Sequence, residues 1–373
     1  MEIGVLKETA PGEARVALSP ESVGKLVKAG HTLWVETGAG QASSLLDEAY
    51  EKAGAKITAQ ADVLAKADIL VKVQRPSASE VATLKTGCVL IALISPLTQM
   101  ELVKQLAAKN ITALSVDMIP RITRAQKMDV LSSMANITGY KAVLMAANAS
   151  TKFFPMMMTA AGTVTPAKVL VLGVGVAGLQ AIATAKRLGA VIEAYDPRPA
   201  VKEQVQSLGG TFLELENLEN AQDAGGYAKE LSATDKEREK AMLREHIVAA
   251  DVIVTTAQIP GKRSPTLVTA GMVTAMKPGA VIVDLAAEGG GNCELTEPGK
   301  TTIKHNVTII GETNIPSQMA ATASQLFSRN ILALLTDISK DGKLSLNLED
   351  EIVKGALITH QGQIVHAAVK ELA

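Results

Sequence analysis

A chain of 373 residues is long enough for two domains of ordinary size. Its 37 basic and 38 acidic residues nearly cancel and aromatics are only 2%, which removes the basic surface that nucleic acid needs and the stacking platforms that single strands use. Two cysteines and five widely spaced histidines offer no disulfide framework and no metal set, and no basic segment precedes an apolar run at the N-terminus, so no signal peptide is expected and a cytoplasmic location is.

Apolar residues make up 47% of the chain, a share dominated by Ala, Val, Leu and Ile that favours buried parallel strands under alanine-rich helices. Strands are expected at residues 2–6, 31–36, 68–73, 88–94 and 111–116, with helices between them. Ser19-Pro20 reads as an N-cap with proline at the first helical position, and Gly30 as the end of that helix. Residues 44–53 run helically to Gly54, and residues 100–109 to Asn110. This alternation predicts a parallel sheet. A long helical pattern then covers residues 124–147 with one internal glycine, Gly139, until Phe153-Phe154-Pro155 breaks it. It reads as a helix connecting two domains.

A second series begins at Lys168. Strands are expected at 169–172, 191–195, 211–215, 251–255, 280–284 and 307–310, with helices at 176–188, 200–207 and 236–249. Residues 319–338 read as another long helix that returns the chain to the first domain, where residues 344–366 add short strands or a hairpin. The segment from Val169 to Ala185 is nearly all apolar between Lys168 and Lys186. It is short for a membrane span of about 20 residues, carries three glycines at fixed offsets and changes period midway, so a buried strand turning into a buried helix fits better. Residues 216–234 are polar and without period, and contain Gly225-Gly226. A mobile flap and a variable surface loop both fit that composition.

The sharpest motif is Gly173-Val174-Gly175-Val176-Ala177-Gly178, between the 169–172 strand and the helix it opens. Gly173 permits a tight turn, Gly175 lets backbone approach a pyrophosphate, and Gly178 lets the helix pack closely on the strand. The free N–H groups of the helix start, at Val176 and Ala177, favour phosphate. The next strand ends at Asp196, followed by Pro197. An acid about 20 residues past the glycines accepts both ribose hydroxyls and repels a 2′-phosphate, so NAD(H) is favoured over NADP(H). Arg198 lies close enough to weaken that preference slightly. The bland alternative is a glycine turn without ligand, with Asp196 as a helix N-cap. Ligands sit at the carboxyl edge of such sheets, so Thr255-Thr256-Ala257 and the segments from Asp284 to Asn292 are expected to complete the pocket, although their glycines suit plain turns equally well. The predicted fold is α/β: two Rossmann-like doubly wound parallel-sheet domains separated by an NAD-binding cleft. The first takes residues 1–128 with 320–373 and the second 129–319. Two crossings between them give a hinge geometry.

At the mouth of the connecting helix, residues 120–133 collect polar groups. Gln126, Asp129 and Ser132-Ser133 recur at three- to four-residue spacing and are expected on one helix face. Helix capping plus an ion pair with Arg121 or Arg124 is the simpler account of these residues taken alone.

Met118-Ile119-Pro120-Arg121-Ile122-Thr123-Arg124-Ala125-Gln126, with Asp129-Val130-Leu131-Ser132-Ser133, resembles the NAD(H)-binding domain I of proton-translocating NAD(P) transhydrogenases. The segments Met158–Thr163, Gly173–Ala181, Val201–Val205, Gly225–Lys229, Ile259–Lys262 and Gly289–Cys293 agree with it, so the likeness runs through essentially the whole chain. It implies a fold shared with alanine dehydrogenases, NAD(H) in the cleft, a homodimer, and an NADP(H)-binding partner subunit. It further implies attachment to the inner membrane through membrane-spanning partners. Under the resemblance, Arg121, Gln126, Asp129 and Ser132 match the nicotinamide-side loop and helix, Tyr227 the tyrosine of a mobile loop, and Asp196 the adenosine-ribose acid. Fused α chains of the family continue into transmembrane helices, and this chain carries no such segment. It is therefore read as a separate α1-type subunit or as a piece cut to that domain.

In the family, hydride passes directly between two nicotinamides, coupled to proton movement elsewhere. Such a transfer needs no general acid or base. It needs the two C4 atoms held about 3–3.5 Å apart with water excluded. Arg121, Asp129 and Ser132 carry the donors and acceptors to fix the carboxamide, and Gln126 is placed to reach the second nucleotide. Two rivals remain. An alanine dehydrogenase would use a lysine and a histidine of the first domain. Lys72 sits where the lysine would, and Arg15 suits a carboxylate, but Leu90-Ile91-Ala92-Leu93-Ile94-Ser95-Pro96 lacks the histidine. A non-catalytic NAD-binding module would keep the glycine turn and Asp196 without needing the cluster from Arg121 to Ser132.

Overall fold

The structure, a computed structural model, describes residues 1–215, 232–258, 263–340 and 342–373. The chain divides into two compact units, Met1–Met134 with Pro316–Ala373, and Ala135–Ile315.

In the first unit strands alternate with helices: β1 (Glu2–Val5), β2 (Thr32–Glu36), β3 (Lys56–Thr58), β4 (Ile69–Gln74), β5 (Val89–Leu93) and β6 (Thr112–Ser115). They are parallel, in the order β6-β5-β4-β1-β2-β3. The first helix, Pro20–Lys28, begins as its sequence dictates. The Ser19 hydroxyl accepts from the Ser22 N–H, proline occupies the first turn, and Gly30 follows at φ +88°. The edge strand β3 has no counterpart in the sequence reading, because three residues, one exposed and two half-buried, are too few to set up an alternation.

The pattern at residues 124–147 is not one helix. A 3₁₀ segment, Thr123–Met128, ends at Asp129, whose backbone (φ −74°, ψ 89°) leaves the helical region, and an α-helix then runs Val130–Ala149. Asp129 caps that helix: Oδ1 accepts the Ser132 N–H at 2.8 Å and Oδ2 accepts the Ser132 hydroxyl at 2.6 Å. Gln126 lies on the far side of the cap, so it does not share a helix face with Asp129 and Ser132. Capping chemistry overrode an otherwise helical spacing.

The second unit opens with an antiparallel hairpin, β7 (Met157–Thr159) and β8 (Gly162–Val164), which the sequence reading missed. The remaining strands are β9 (Lys168–Leu172), β10 (Val191–Tyr195), β11 (Thr211–Leu213), β12 (Val252–Thr255), β13 (Val281–Asp284), β14 (Thr301–Lys304) and β15 (Val307–Ile310). Their order is β11-β10-β9-β12-β13-β15-β14, parallel except for β14 on the edge. Both units thus wind outward in two directions from a central pair, β1 and β4 in the first, β9 and β12 in the second. A crevice opens at the carboxyl ends of such a pair.

The apolar run after Lys168 is buried on both faces of this sheet. Val169 and Val171 pack with Ala181, Ile182 and Ala185 of the helix Val176–Arg187 and with Ala142, Val143 and Ala146 of the long helix. Leu170 and Leu172 face the other core, with Leu243 and Ile247 of the helix Ala233–Ala249. Gly139 lets the long helix come close: a Cβ there would lie 2.1 Å from the Ala177 carbonyl oxygen. Among the described residues, no helix is long and apolar enough to cross a membrane.

The helix Ala320–Asp337 belongs to the first unit, where its Ser324 and Ser328 hydroxyls accept from the Val16 and Ser19 N–H groups. After it come a short hairpin, β16 (Ser339–Lys340) with β17 (Lys343–Leu344), and then β18 (Leu357–His360) and β19 (Gln363–Ile364). This last pair extends the first sheet antiparallel from β6, as the expected hairpin in the tail would.

Candidate functional site

The glycine turn leaves β9 at the central pair of the second sheet. Gly173 takes φ +94°, and its carbonyl accepts the Thr256 hydroxyl from the end of β12 at 2.9 Å. A Cβ at Gly173 would lie 2.6 Å from that hydroxyl, and one at Gly178 would lie 2.0 Å from the Gly173 carbonyl oxygen. The protein's own packing therefore demands both glycines. Gly175 differs. Its backbone is extended (φ −80°, ψ −165°), a conformation any residue adopts, and a Cβ there would meet nothing within 4 Å. Neither strain nor packing asks for glycine at this position. It stands as the N-cap of the helix Val176–Arg187, whose first N–H groups lack intrahelical partners. The geometry fits a phosphate group approaching the backbone there. Val176 is exposed beside it, and Ala177 is half-buried.

Asp196 follows β10 and lies next to this turn, bonded to it: Oδ2 accepts the Val174 N–H at 2.7 Å. The Arg198 side chain grips the same carboxylate with Nε on Oδ1 and a terminal nitrogen on Oδ2, both at 2.7 Å. Pro197 is half-buried between them.

Thr256 and Ala257 are held by a network the sequence reading missed. Asp284, fully buried at the end of β13, accepts from the Thr255 hydroxyl, the Ala286 N–H, the Asn292 and Cys293 N–H groups and the Thr296 hydroxyl, at 2.7–3.0 Å. That carboxylate folds the loop after β13 around itself. Asn292, also fully buried, then clamps Ala257 from both sides, its Oδ1 accepting the Ala257 N–H and its Nδ2 donating to the Ala257 carbonyl, each at 2.9 Å. In the sequence this loop stands out by its glycines. The more telling signal is its two polar residues, and their bonds span up to 35 positions.

The equivalent crevice of the first unit is filled by charge. The Glu8 carboxylate, just past β1, accepts the Val73 N–H at 2.5 Å where the pairing of β4 with β5 shifts register. Lys72, 1% exposed, donates to Glu80 at 2.5 Å and lies 3.7 Å from Glu8. Arg15 pairs with Glu13 through Nε at 2.8 Å and a terminal nitrogen at 2.6 Å, and Ser317 and Gln74 also donate to Glu13. This cluster holds three carboxylates against two cations. Burial raises Glu8 to about 7 despite the attraction of Lys72. Burial also works to raise Glu13, but the Arg15 hydrogen bonds and charge outweigh it and leave Glu13 at about 2. Both cations, Arg15 and Lys72, are thus paired with the chain's own carboxylates.

Arg121, Gln126, Asp129 and Ser132 all lie in the first unit. Arg121 and Gln126 are exposed, and Asp129 and Ser132 are half-buried in the cap. Arg124 pairs with Asp337 and Asp350, not with Asp129. Tyr227, Gly225-Gly226 and most of the expected flap lie outside the described residues, as does Ile259-Pro260-Gly261-Lys262.

Comparison with known proteins adds an independent line. Residues 4–138 match the family alanine dehydrogenase/PNT, N-terminal domain, and residues 142–367 match alanine dehydrogenase/PNT, C-terminal domain. The chain is 52% identical over 379 residues to the first segment of NAD(P) transhydrogenase subunit alpha of Rhodospirillum rubrum, an alignment covering 99% of both. A solved structure of transhydrogenase from Sinorhizobium meliloti superposes with a TM-score of 0.90 at 46% identity, covering 98% of this chain and 100% of that one. An L-alanine dehydrogenase structure is more distant, with a TM-score of 0.85 at 28% identity, covering 100% and 99%.

Proposed function

The chain belongs to the alanine dehydrogenase/PNT family, and on that basis we propose how it works: as the alpha-type subunit of an NAD(P) transhydrogenase, it holds NAD(H) at the glycine turn after β9 for hydride exchange with NADP(H) on a partner subunit. The observation that carries the reading is Gly175, a glycine that the fold itself does not require. A glycine with open space above it suits the close approach of a ligand's phosphates.

When bound, the nicotinamide supplies a hydride donor or acceptor. The chain's residues do the rest by binding and orientation. Gly173 and Gly178 shape the turn, Gly175, Val176 and Ala177 present N–H groups to the diphosphate, and Asp196 with Pro197 takes the adenosine ribose. Thr256 and Ala257 form the wall beside them, held by Asn292. From their match to the family we assign Arg121, Asp129 and Ser132 to the carboxamide and Gln126 to the second nucleotide; Tyr227, assigned to the nicotinamide side by the same match, lies outside the described residues. Direct hydride exchange requires no side chain to move a proton.

The subunit works with partners that bind NADP(H) and span the membrane, and pairs with a second copy of itself. The exposed hairpin β7–β8 supports pairing: Met158 is 79% exposed and Met156, just before the hairpin, 59%, so it carries exposed apolar side chains. An alanine-dehydrogenase activity is disfavoured by the committed state of Arg15 and Lys72.

Titration of the chain with NADH and with NADPH, followed by nicotinamide fluorescence, tests the core of this reading. Saturable binding of NADH, with NADPH bound more weakly, is expected. Absence of NADH binding would refute it. Hydride transfer should appear only when an NADP(H)-binding partner is added, and reduction of pyruvate with ammonia should stay at background.

A further inference from the structure

Asp196 is expected to hold a ribose, yet in the structure it has no capacity left for one. Its Oδ1 accepts the Arg198 backbone N–H at 2.9 Å and Nε at 2.7 Å. Its Oδ2 accepts the Val174 N–H and an Arg198 terminal nitrogen, both at 2.7 Å. A carboxylate offers about four lone-pair sites, and all four are used. The carboxylate side chain is 4% exposed and the arginine side chain above it 15% exposed, so no open edge remains for a diol.

The four donors are not equivalent. The two backbone N–H groups are fixed by the turn after β9 and by the chain leaving β10. The two guanidinium bonds end a flexible side chain on the outer side of the carboxylate. Only they can be exchanged without refolding the turn.

We propose that Arg198 is a latch and a specificity determinant of this site: a nicotinamide dinucleotide gains Asp196 only when its adenosine ribose displaces the Arg198 fork. This rests on the reading that the turn after β9 holds NAD(H). Exchanging a charge-assisted, bidentate pair for two neutral hydroxyl donors lowers the affinity for NADH. The displaced guanidinium remains tethered two residues from Asp196, beside the ribose. There it offsets the repulsion between Asp196 and a 2′-phosphate, so it narrows the gap between NADH and NADPH from both sides.

The full chain and its Arg198→Ala and Arg198→Lys variants are titrated with NADH and NADPH at one ionic strength. Arg198→Ala is expected to bind NADH more tightly and NADPH more weakly, raising the ratio of the two dissociation constants about tenfold, the scale of one charge-assisted contact. Arg198→Lys keeps the charge but not the planar fork, so NADH should tighten while NADPH changes little. An Arg198→Ala variant that binds NADH no tighter than the parent, or leaves the ratio unchanged, overturns the latch. If the parent itself fails to bind NADH, the assignment of the site fails instead, so the two failures are told apart by the parent's titration.

Discussion

Alanine at Gly175 and at Gly178, three residues apart in one turn, should give opposite signatures. At Gly175 the backbone is extended and the added methyl meets nothing within 4 Å. Alanine fits both, and it restricts the unfolded chain, so stability should rise by about 0.4–1 kcal/mol. On the proposed reading, the same methyl stands where a phosphate approaches the backbone. Loss of even one charge-assisted bond, at about 1.5–3 kcal/mol, weakens NADH binding about ten- to a hundredfold. At Gly178 the balance reverses. Helix propensity favours alanine by about 1 kcal/mol. The new Cβ, however, sits 2.0 Å from the Gly173 carbonyl oxygen, which the Thr256 hydroxyl pins at 2.9 Å. Overpacking costs about 1–3 kcal/mol, and a pinned carbonyl puts the cost near the top of that range. Gly178→Ala should therefore lose stability and binding together. Thermal unfolding and NADH titration of both variants separate these outcomes. A Gly175→Ala chain that binds NADH like the parent, or melts lower, would refute the reasoning.

Gly139→Ala drives a methyl to 2.1 Å from the Ala177 carbonyl, so it should lower Tm, by an overpacking cost of about 1–3 kcal/mol, and weaken NADH from a position well outside the turn in sequence. Unchanged affinity would show that the helix start tolerates the shift. Asn292→Ala removes both bonds to Ala257 and one to the Pro265 carbonyl at a fully buried site, with an expected loss of about 2–4 kcal/mol in denaturant unfolding. Asn292→Asp keeps the acceptor but turns a buried carboxylate oxygen toward the Ala257 and Pro265 carbonyls, so at neutral pH it should be no more stable than Asn292→Ala. Glu8, held at about 7 against its ordinary 4.5, keeps a proton in the folded chain that the unfolded chain releases. Stability should therefore fall as pH rises from about 4.5 to 7, by at most about 3 kcal/mol. Glu8→Gln should flatten that slope, and an unchanged slope in urea titrations across the window would assign it to other groups.

Much of the fold was legible because its signals are local. Short apolar runs between turn residues placed the buried strands of both sheets to within about two residues but not the edge strands β3 and β14, and Ser19-Pro20 with Gly30 bounded a helix by chemistry confined to a dozen positions. The same local logic failed at Asp129, where helical spacing suggested one continuous face. A side chain that satisfies the first N–H groups of a helix ends the preceding segment as well as starting the next. The hairpin β7–β8 escaped notice because its residues are exposed on both strands, so no alternation marks them.

Local sequence was enough to specify the glycine turn, the acid that follows the next strand, and the two-fold repetition of the βα rhythm, since backbone conformation and strand period depend on residues a few positions apart. The state of the charges was settled only in the folded chain. Folding closed Arg198 over Asp196, gathered five donors on Asp284, and turned Arg15 and Lys72 inward onto Glu13 and Glu80. Those outcomes depend on which side chains meet after strands from distant segments align, and an ion buried in that way takes whatever partner the packing brings within reach.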